Sequence, residues 1–265
     1  MSKKIKALAI DLDGTLLVGE KLSDRNRDAV KKAAMAGYHV IIATARWRQM
    51  AERIAAGIGL QGVPIIACSG AQVYCTNDNK DIYDTRLPAT FVQQLYSICN
   101  DNRCIASATL NAHTWLKIDK QPAAEYLSDE LRWVGQLPQS DELPRIATVQ
   151  GRDTIALVKA LARSDFKSEV NIFDSIGPSG KTVITITAHT ADKGIALVKA
   201  CDYLGIASSE VIAFGDADND IAMFREAGKS VAMGQADDSV KAAANHITLS
   251  NLDDGVAEYI ENQLL

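Results

Sequence analysis

The chain has 265 residues, 47% hydrophobic and 23% charged, with a formal net charge of −5 at pH 7. That is the balance of a globular protein long enough for one elaborate domain or two modest ones. The net negative charge offers no footprint for nucleic acid or an anionic membrane, and no apolar run approaches the ~20 residues of a membrane span.

The start, Met1-Ser2-Lys3-Lys4, is expected to lead into a strand rather than a signal segment. That strand is the apolar run Ile5 to Ile10, with Lys6 at its solvated entry, and it ends in Asp11-Leu12-Asp13-Gly14-Thr15. Ser23 is a helix N-cap, and the helix runs to Ala36 with Gly37 just beyond it. A second strand spans Tyr38 to Ala43. A helix through Met50, Ile54 and Ile58 closes near Gly59, and Ile65 to Cys68 is a third strand. Val73 to Cys75, the turn Asn77-Asp78-Asn79-Lys80 and Ile82-Tyr83 form a hairpin.

The pattern then changes. Pro88 opens a helix carrying Phe91, Val92, Leu95, Ile98 and Cys99; Thr114 to Ile118 is a strand, and Leu137 to Pro144 a loop. Ile146 to Gln150, a helix from Thr154 to Ala162, Val170 to Phe173 and Val183 to Thr187 complete an α+β block. His113, Trp115 and Lys117 share one strand face, where they either line a pocket or pack as ordinary strand residues. From Asp192 the first alternation resumes: a helix to Leu204 ending at Gly205, the strand Val211 to Phe214, a helix through Ile221, Met223 and Phe224 ending at Gly228, and a strand from Ser230 to Met233. Strands alternating with helices predict an α/β protein with a Rossmann-like parallel sheet. The expected division is a discontinuous core, residues 1–85 and 190–265, with an α/β domain inserted at 86–189.

Cys68, Cys75, Cys99, Cys104 and Cys201 are odd in number and form no C-x-x-C pair. Reduced thiols in a cytoplasmic protein are the expectation, and a zinc site is not.

The chemistry sits at strand ends. Two carboxylates at Asp11 and Asp13 stand on a turn where open α/β sheets place their sites. Like charges there repel and lose hydration, so they add no stability. A second cluster, Gly215-Asp216-Ala217-Asp218-Asn219-Asp220, follows the strand Val211 to Phe214. In a parallel sheet both clusters lie on one edge, where they need a cation. An incomplete set of hard oxygen ligands suits Mg²⁺ better than zinc, although Asp218 also fits a solvated loop. Thr44 ends the second strand in Ala43-Thr44-Ala45-Arg46, where its hydroxyl and nearby helix-start amides can hold phosphate oxygens. Lys193, at a helix start in Ala191-Asp192-Lys193-Gly194, can offset negative charge.

Taken in this order, Asp-x-Asp-Gly-Thr, strand-end Thr, Lys and Gly-Asp-x-x-Asn-Asp resemble the haloacid dehalogenase superfamily of phosphatases. Val231 to Ala236, Asn251, Asp254-Gly255-Val256 and Lys193-Gly194-x-Ala196-Leu197 are similar to its Cof-type subgroup, subfamily IIB. The resemblance covers nearly the whole chain. It implies that the middle block is a C2-type cap, here C2B; a site that must exclude water and yet admit substrate and release product makes a mobile lid of that block the expectation. Two positions depart from the family: Ala45 stands where members commonly have Gly, and Ser69-Gly70-Ala71 where they have Asn-Gly-Ala.

The residues suit a two-step phosphoryl transfer, with Asp11 as nucleophile forming an aspartyl-phosphate and Asp13 as acid and then base. Those roles call for different protonation states, and Mg²⁺ beside Asp11 with a drier setting for Asp13 is expected to supply the difference. By resemblance, Mg²⁺ is held by Asp11, the Asp13 carbonyl and Asp216, with Asp220 orienting its water shell. Thr44, Lys193, Arg46, Asn219 and the amides around Leu12 and Asp13 face the phosphoryl group. The expected substrate is a sugar phosphate or similar small phosphometabolite, handled by a monomer or small homo-oligomer. The alternatives are a phosphomutase or phosphotransferase on the same site, or a non-catalytic binding protein.

Overall fold

The computed structural model describes residues 4–111, 113–123, 127–177 and 180–265; the expected lead into strand from residues 1–3 lies outside them. The chain divides into two compact units, Met1–Asp84 with Asp192–Leu265, and Thr85–Ala191.

The first unit begins with β1 (Ala7–Asp11), the short ribbon β2 (Leu17–Val18) and β3 (Lys21–Leu22), then α1 (Asp24–Met35), β4 (His39–Ala43), α2 (Arg48–Ile58), β5 (Pro64–Ala67), β6 (Gln72–Cys75) and β7 (Lys80–Asp84). The inserted unit contains α3 (Ala89–Asp101), β8 (Ile105–Thr109), β9 (Thr114–Lys117), β10 (Leu131–Val134), β11 (Ile146–Gln150), α4 (Arg152–Asp165), β12 (Val170–Ile176) and β13 (Thr182–Ala188). The first unit is completed by α5 (Lys193–Leu204), β14 (Val211–Gly215), α6 (Ile221–Glu226), β15 (Lys229–Ala232), α7 (Asp238–Ala243), β16 (His246–Ile247) and α8 (Gly255–Gln263).

The first unit's sheet runs β16-β15-β14-β1-β4-β5-β6-β7. It is parallel from β16 to β5, and the expected hairpin extends it as two antiparallel strands. Every residue of β1 is buried, as a central strand covered on both faces requires. Ala196, Leu197 and Ala200 of α5 and Met223 and Phe224 of α6 pack on Ala7, Ala9, Ile41 and Ala213. Local signals set the helix ends: Ser23 accepts from the Asn26 N–H at 3.0 Å, and Gly205 closes α5 at φ +68.

In the inserted unit the sheet order is β10-β9-β8-β11-β13-β12, all antiparallel except β9 with β10. Phe91 and Leu95 of α3 and Val158 and Ala162 of α4 cover it, and the Phe91 and Phe166 rings meet edge to face at 5.2 Å. On β9, Trp115 packs against this core with His113 beside its ring. Lys117 is buried, and its ammonium donates to the Asn102 carbonyl at 2.9 Å.

Candidate active site

β1 and β14 are hydrogen-bonded neighbours with Ile10 beside Phe214, so the two acidic turns emerge side by side. On the other flank Asp11 is in register with Ala43 of β4, which brings Thr44 next to the first turn. Because the sheet order reverses about β1, this edge is the topological switch point.

Asp11, Thr44, Lys193 and Asp220 are all buried, Lys193 and Asp220 almost completely. Lys193 Nζ donates to Asp11 Oδ1 and to Asp220 Oδ1, each at 2.6 Å. Asp220 Oδ2 accepts from the backbone N–H groups of Asp216 and Ala217 at 3.0 Å. Both Asp220 oxygens are therefore engaged, and the residue fixes the second loop and the lysine together. The lysine is presented by the first turn of α5, where the Asp192 side chain caps the Ile195 N–H at 2.7 Å. Behind it the turn Cys68-Ser69-Gly70 runs through three successive left-handed residues. A Cβ on Gly70 would fall 2.2 Å from the Asp192 carbonyl oxygen, so the turn braces the helix start by backbone contact.

Asp216 is held by the Thr15 hydroxyl, which donates to Oδ1 at 3.0 Å. Gly14 lies directly against the same carboxylate: a Cβ there would sit 2.2 Å from Asp216 Oδ2, and φ is +81. Only glycine fits both demands. Carboxylate oxygens of Asp11, Asp216 and Asp220 lie within 4.8 Å of one another. Three carboxylates around one ammonium leave an excess of two negative charges in a largely dry place, and the donors are hard oxygens. The set fits a divalent cation.

Electrostatics agree with that fit. Burial, with Asp220 next, pushes Asp216 up to about 6. Burial also pushes Asp11 well up, opposed by Lys193 and reinforced by Asp220 and Asp216. Burial works against the charge on Lys193, yet the Asp11 and Asp220 carboxylates outweigh it and raise its pKa.

The setting expected for Asp13 is reversed. Asp11 is the dry carboxylate, whereas the Asp13 side chain is 51% exposed and is gripped by Arg46, Nη2 to Oδ1 at 2.5 Å and Nε to Oδ2 at 2.9 Å. The cause is local. Leu12 turns into the core, so the next residue on the turn points outward, where Arg46 also binds Glu20 at 2.7 Å. Thr44 Oγ1 accepts from the Arg46 N–H at 3.1 Å, leaving its own proton free to donate. Asn219 has a buried Oδ1 with no partner among the described residues. Asp218 is exposed and stands outside the carboxylate group.

Sequence reasoning gave no role to Thr15, Glu20 or Gln235. Gln235 Nε2 donates to the Gly14 carbonyl at 2.6 Å, and Asn251 Nδ2 to the Leu17 carbonyl at 2.9 Å, pinning the turn after β1 from the far end of the chain. Gln235 and Asn251 carried a signal only as part of the family-like tail.

A doubly wound α/β core with carboxylates converging at the switch point, and a second α/β domain inserted, defines the class of this protein. The chain belongs to the haloacid dehalogenase-like hydrolases, whose family model matches residues 8–260. It is 31% identical over 269 residues to a 5-amino-6-(5-phospho-D-ribitylamino)uracil phosphatase of Bacillus subtilis strain 168, covering 98% of this chain and 96% of that one. It is 27% identical over 280 residues to a pyridoxal phosphate phosphatase of Escherichia coli K12, covering 98% and 99%. A solved haloacid dehalogenase-like hydrolase from Bacteroides thetaiotaomicron has a TM-score of 0.81 at 26% identity, over 97% of this chain and 99% of that one. A subclass IIB sugar phosphatase matches at TM-score 0.77 and 22% identity, over 97% and 98%, and shares the fold. The expectation of a Cof-type phosphoric monoester hydrolase with an inserted cap domain stands. Among the described residues no helix is long and apolar enough to cross a membrane.

Proposed function

We propose that the protein is a Mg²⁺-dependent phosphatase of small phosphorylated metabolites that works through an aspartyl-phosphate on Asp11. The observation that carries this reading is the Lys193 bridge between Asp11 and Asp220, set beside an Asp216 carboxylate that Thr15 and Gly14 hold facing the same point.

Asp11, the Asp13 carbonyl and Asp216 would hold the cation, and Asp220, with its oxygens already engaged, would reach it through its water shell. Bound there, Mg²⁺ supplies positive charge that lets an anionic carboxylate approach an anionic phosphate. The chain's own groups do the rest. Lys193 fixes one Asp11 oxygen, which orients the carboxylate for in-line attack on phosphorus. Thr44 donates its free proton to a phosphoryl oxygen, and Asn219 with the amides near Leu12 and Asp13 completes the cradle. Asp13 protonates the leaving alkoxide, then takes a proton from the water that cleaves the acyl phosphate. The Arg46 N–H groups occupy one lone pair on each Asp13 oxygen and leave the other for the proton it transfers. Arg46 is thus both the tether of Asp13 and a cation at the mouth of the site.

The relatives named above act on a ribitylamino-uracil phosphate and on pyridoxal phosphate, which supports a small phosphomonoester as substrate here. The inserted unit Thr85–Ala191 would select among such substrates. The test is phosphate release from a phosphometabolite panel, ranked by kcat/KM, with and without chelation. Magnesium-dependent release from several panel members supports the reading. Full activity in metal-free protein, or isomerised sugar phosphate in place of inorganic phosphate, overturns it.

A further inference from the structure

The inserted unit contains a chemical cluster that phosphoryl transfer does not use. Cys104 lies between the end of α3 and the start of β8, and its Sγ is 3.8 Å from Lys117 Nζ. That ammonium is buried and otherwise meets only the carbonyls of Asn102 at 2.9 Å and Cys104 at 3.5 Å. Among the described residues no carboxylate pairs with it. A buried ammonium without an anion is costly, and the Cys104 thiol is the adjacent group able to become one.

The remaining neighbours favour the same state. Thr154, in the first turn of α4, also lowers the Cys104 thiol. The helix start presses close: a Cβ on Gly151 would fall 3.2 Å from Cys104 Cβ, and that cap residue has no side-chain cap bond of its own. Thiols beside a lysine and a helix N-terminus titrate at ~3.5–7.5 rather than near 8.5. Cys99 is the first cause holding Cys104 down, and Cys104 the first raising Cys99; Lys117 and Thr154 add to the fall against burial. When protonated, Cys104 donates to the Cys99 carbonyl at 3.5 Å.

Cys104 is buried, at 7% exposed, but borders a cavity. It lines a cavity of about 810 Å³ together with Arg103, Arg152, Lys181 and Asp119. Arg103 is paired with Asp119 at 2.6 Å, so the charge facing the sulfur across this cavity is net positive.

We propose that Cys104 is a peroxide-reactive thiolate and Cys99 its resolving partner, forming a reversible modification site in the inserted unit. In the first step the thiolate attacks the terminal oxygen of a hydroperoxide. An S–O bond forms, the O–O bond breaks, sulfur is oxidised to the sulfenic acid, and the alkoxide or hydroxide leaves with a proton from water. In the second, Cys99 sulfur attacks Cys104 sulfur, the S–O bond breaks, and the Cys99 proton leaves with the hydroxyl as water.

The test follows each cysteine by mass spectrometry in the intact protein. The gain in thiolate fraction is largely cancelled by lower nucleophilicity, so the midpoint of the pH profile is more telling than the rate. With iodoacetamide, Cys104 is expected to show a midpoint below pH 7.5, moved up by about one unit or more in Lys117→Met. Thr154→Val should move it the same way and serves if the lysine variant fails to fold. Stoichiometric hydrogen peroxide should remove the mass of two hydrogens in the wild type, and Cys99→Ser should instead yield a dimedone-trapped sulfenic acid at Cys104. An ordinary thiol midpoint for Cys104 in the wild type, or a midpoint that neither variant moves, overturns the thiolate. A sulfenic acid that never becomes a Cys99–Cys104 disulfide overturns the resolving role.

Discussion

Lys193→Met removes the ammonium from a group of three carboxylates, two of them buried, while keeping the length and apolar stem of the side chain. Lys193 bonds Asp11 and Asp220 at 2.6 Å each, and both partners are buried. Breaking a buried pair leaves uncompensated charge and costs ~3–5 kcal/mol. For a protein of this size each kcal/mol lowers Tm by roughly 2–4 °C, so a fall of about 6–20 °C is expected at pH 8 in chelator. The pH dependence gives the sign. Burial raises Asp11, and without the opposing ammonium it binds its proton more tightly folded than unfolded, so its contribution is most favourable at low pH and is lost as pH rises through the folded pKa. The gap between variant and wild type should widen from pH 5 to pH 8, and saturating Mg²⁺ should narrow it by occupying the charge excess. Calorimetry at four pH values, with and without Mg²⁺, measures this. A Tm within 2 °C of wild type at pH 8, or a gap that does not change with pH, would refute the electrostatic account.

Gly14→Ala should drive the Asp216 carboxylate from its place, raising the Mg²⁺ concentration for half-maximal activity by about tenfold, about 1.4 kcal/mol of cation binding; an unchanged activation curve in the folded variant counts against Asp216 as a ligand. With Asp216 held up at about 6, protons compete with the cation, so Mg²⁺ affinity by calorimetric titration should fall as pH drops through 6; a flat profile from pH 5 to 7.5 counts against it. Asp13→Asn should slow alkyl phosphates at least about tenfold more than an activated aryl phosphate, whose leaving group needs little protonation. Equal losses, with phosphorylation rate-limiting, argue against Asp13 as the acid. Arg46→Ala should slow alkyl phosphates more than an activated aryl phosphate by releasing Asp13 from its place; equal losses mean the clamp does not position the acid.

The sheet was legible because each core strand is a short apolar run closed by a turn, and because strand-end carboxylates have no structural reason to be there. Parallel register sets the Asp11 turn beside Thr44 and the Asp216–Asp220 loop, and the first turn of α5 adds Lys193. What was missed lacks pattern. β2, β3 and β16 are two residues long, too short for any period. β8 reads Ile-Ala-Ser-Ala-Thr, with small residues of little strand preference at its centre, and finds its place by pairing with β9 and β11. α8 begins on Gly255 after a left-handed Asp254, with no standard N-cap. The outward Asp13 and its Arg46–Glu20 clamp depend on which way a turn residue points, which spacing cannot give. Lys117 shares the alternation of a surface strand but is buried.

The central claim is that Asp11 carries the phosphoryl group. It is tested most directly by acid-quenching enzyme during turnover, reducing with borohydride and sequencing the β1 peptide by mass spectrometry. An acyl phosphate is reduced to an alcohol, so Asp11 should appear as homoserine in substrate-treated protein and remain aspartate without substrate or in chelator. Homoserine at Asp13 instead, or an unmodified peptide from enzyme shown to be turning over in a burst, would contradict the account.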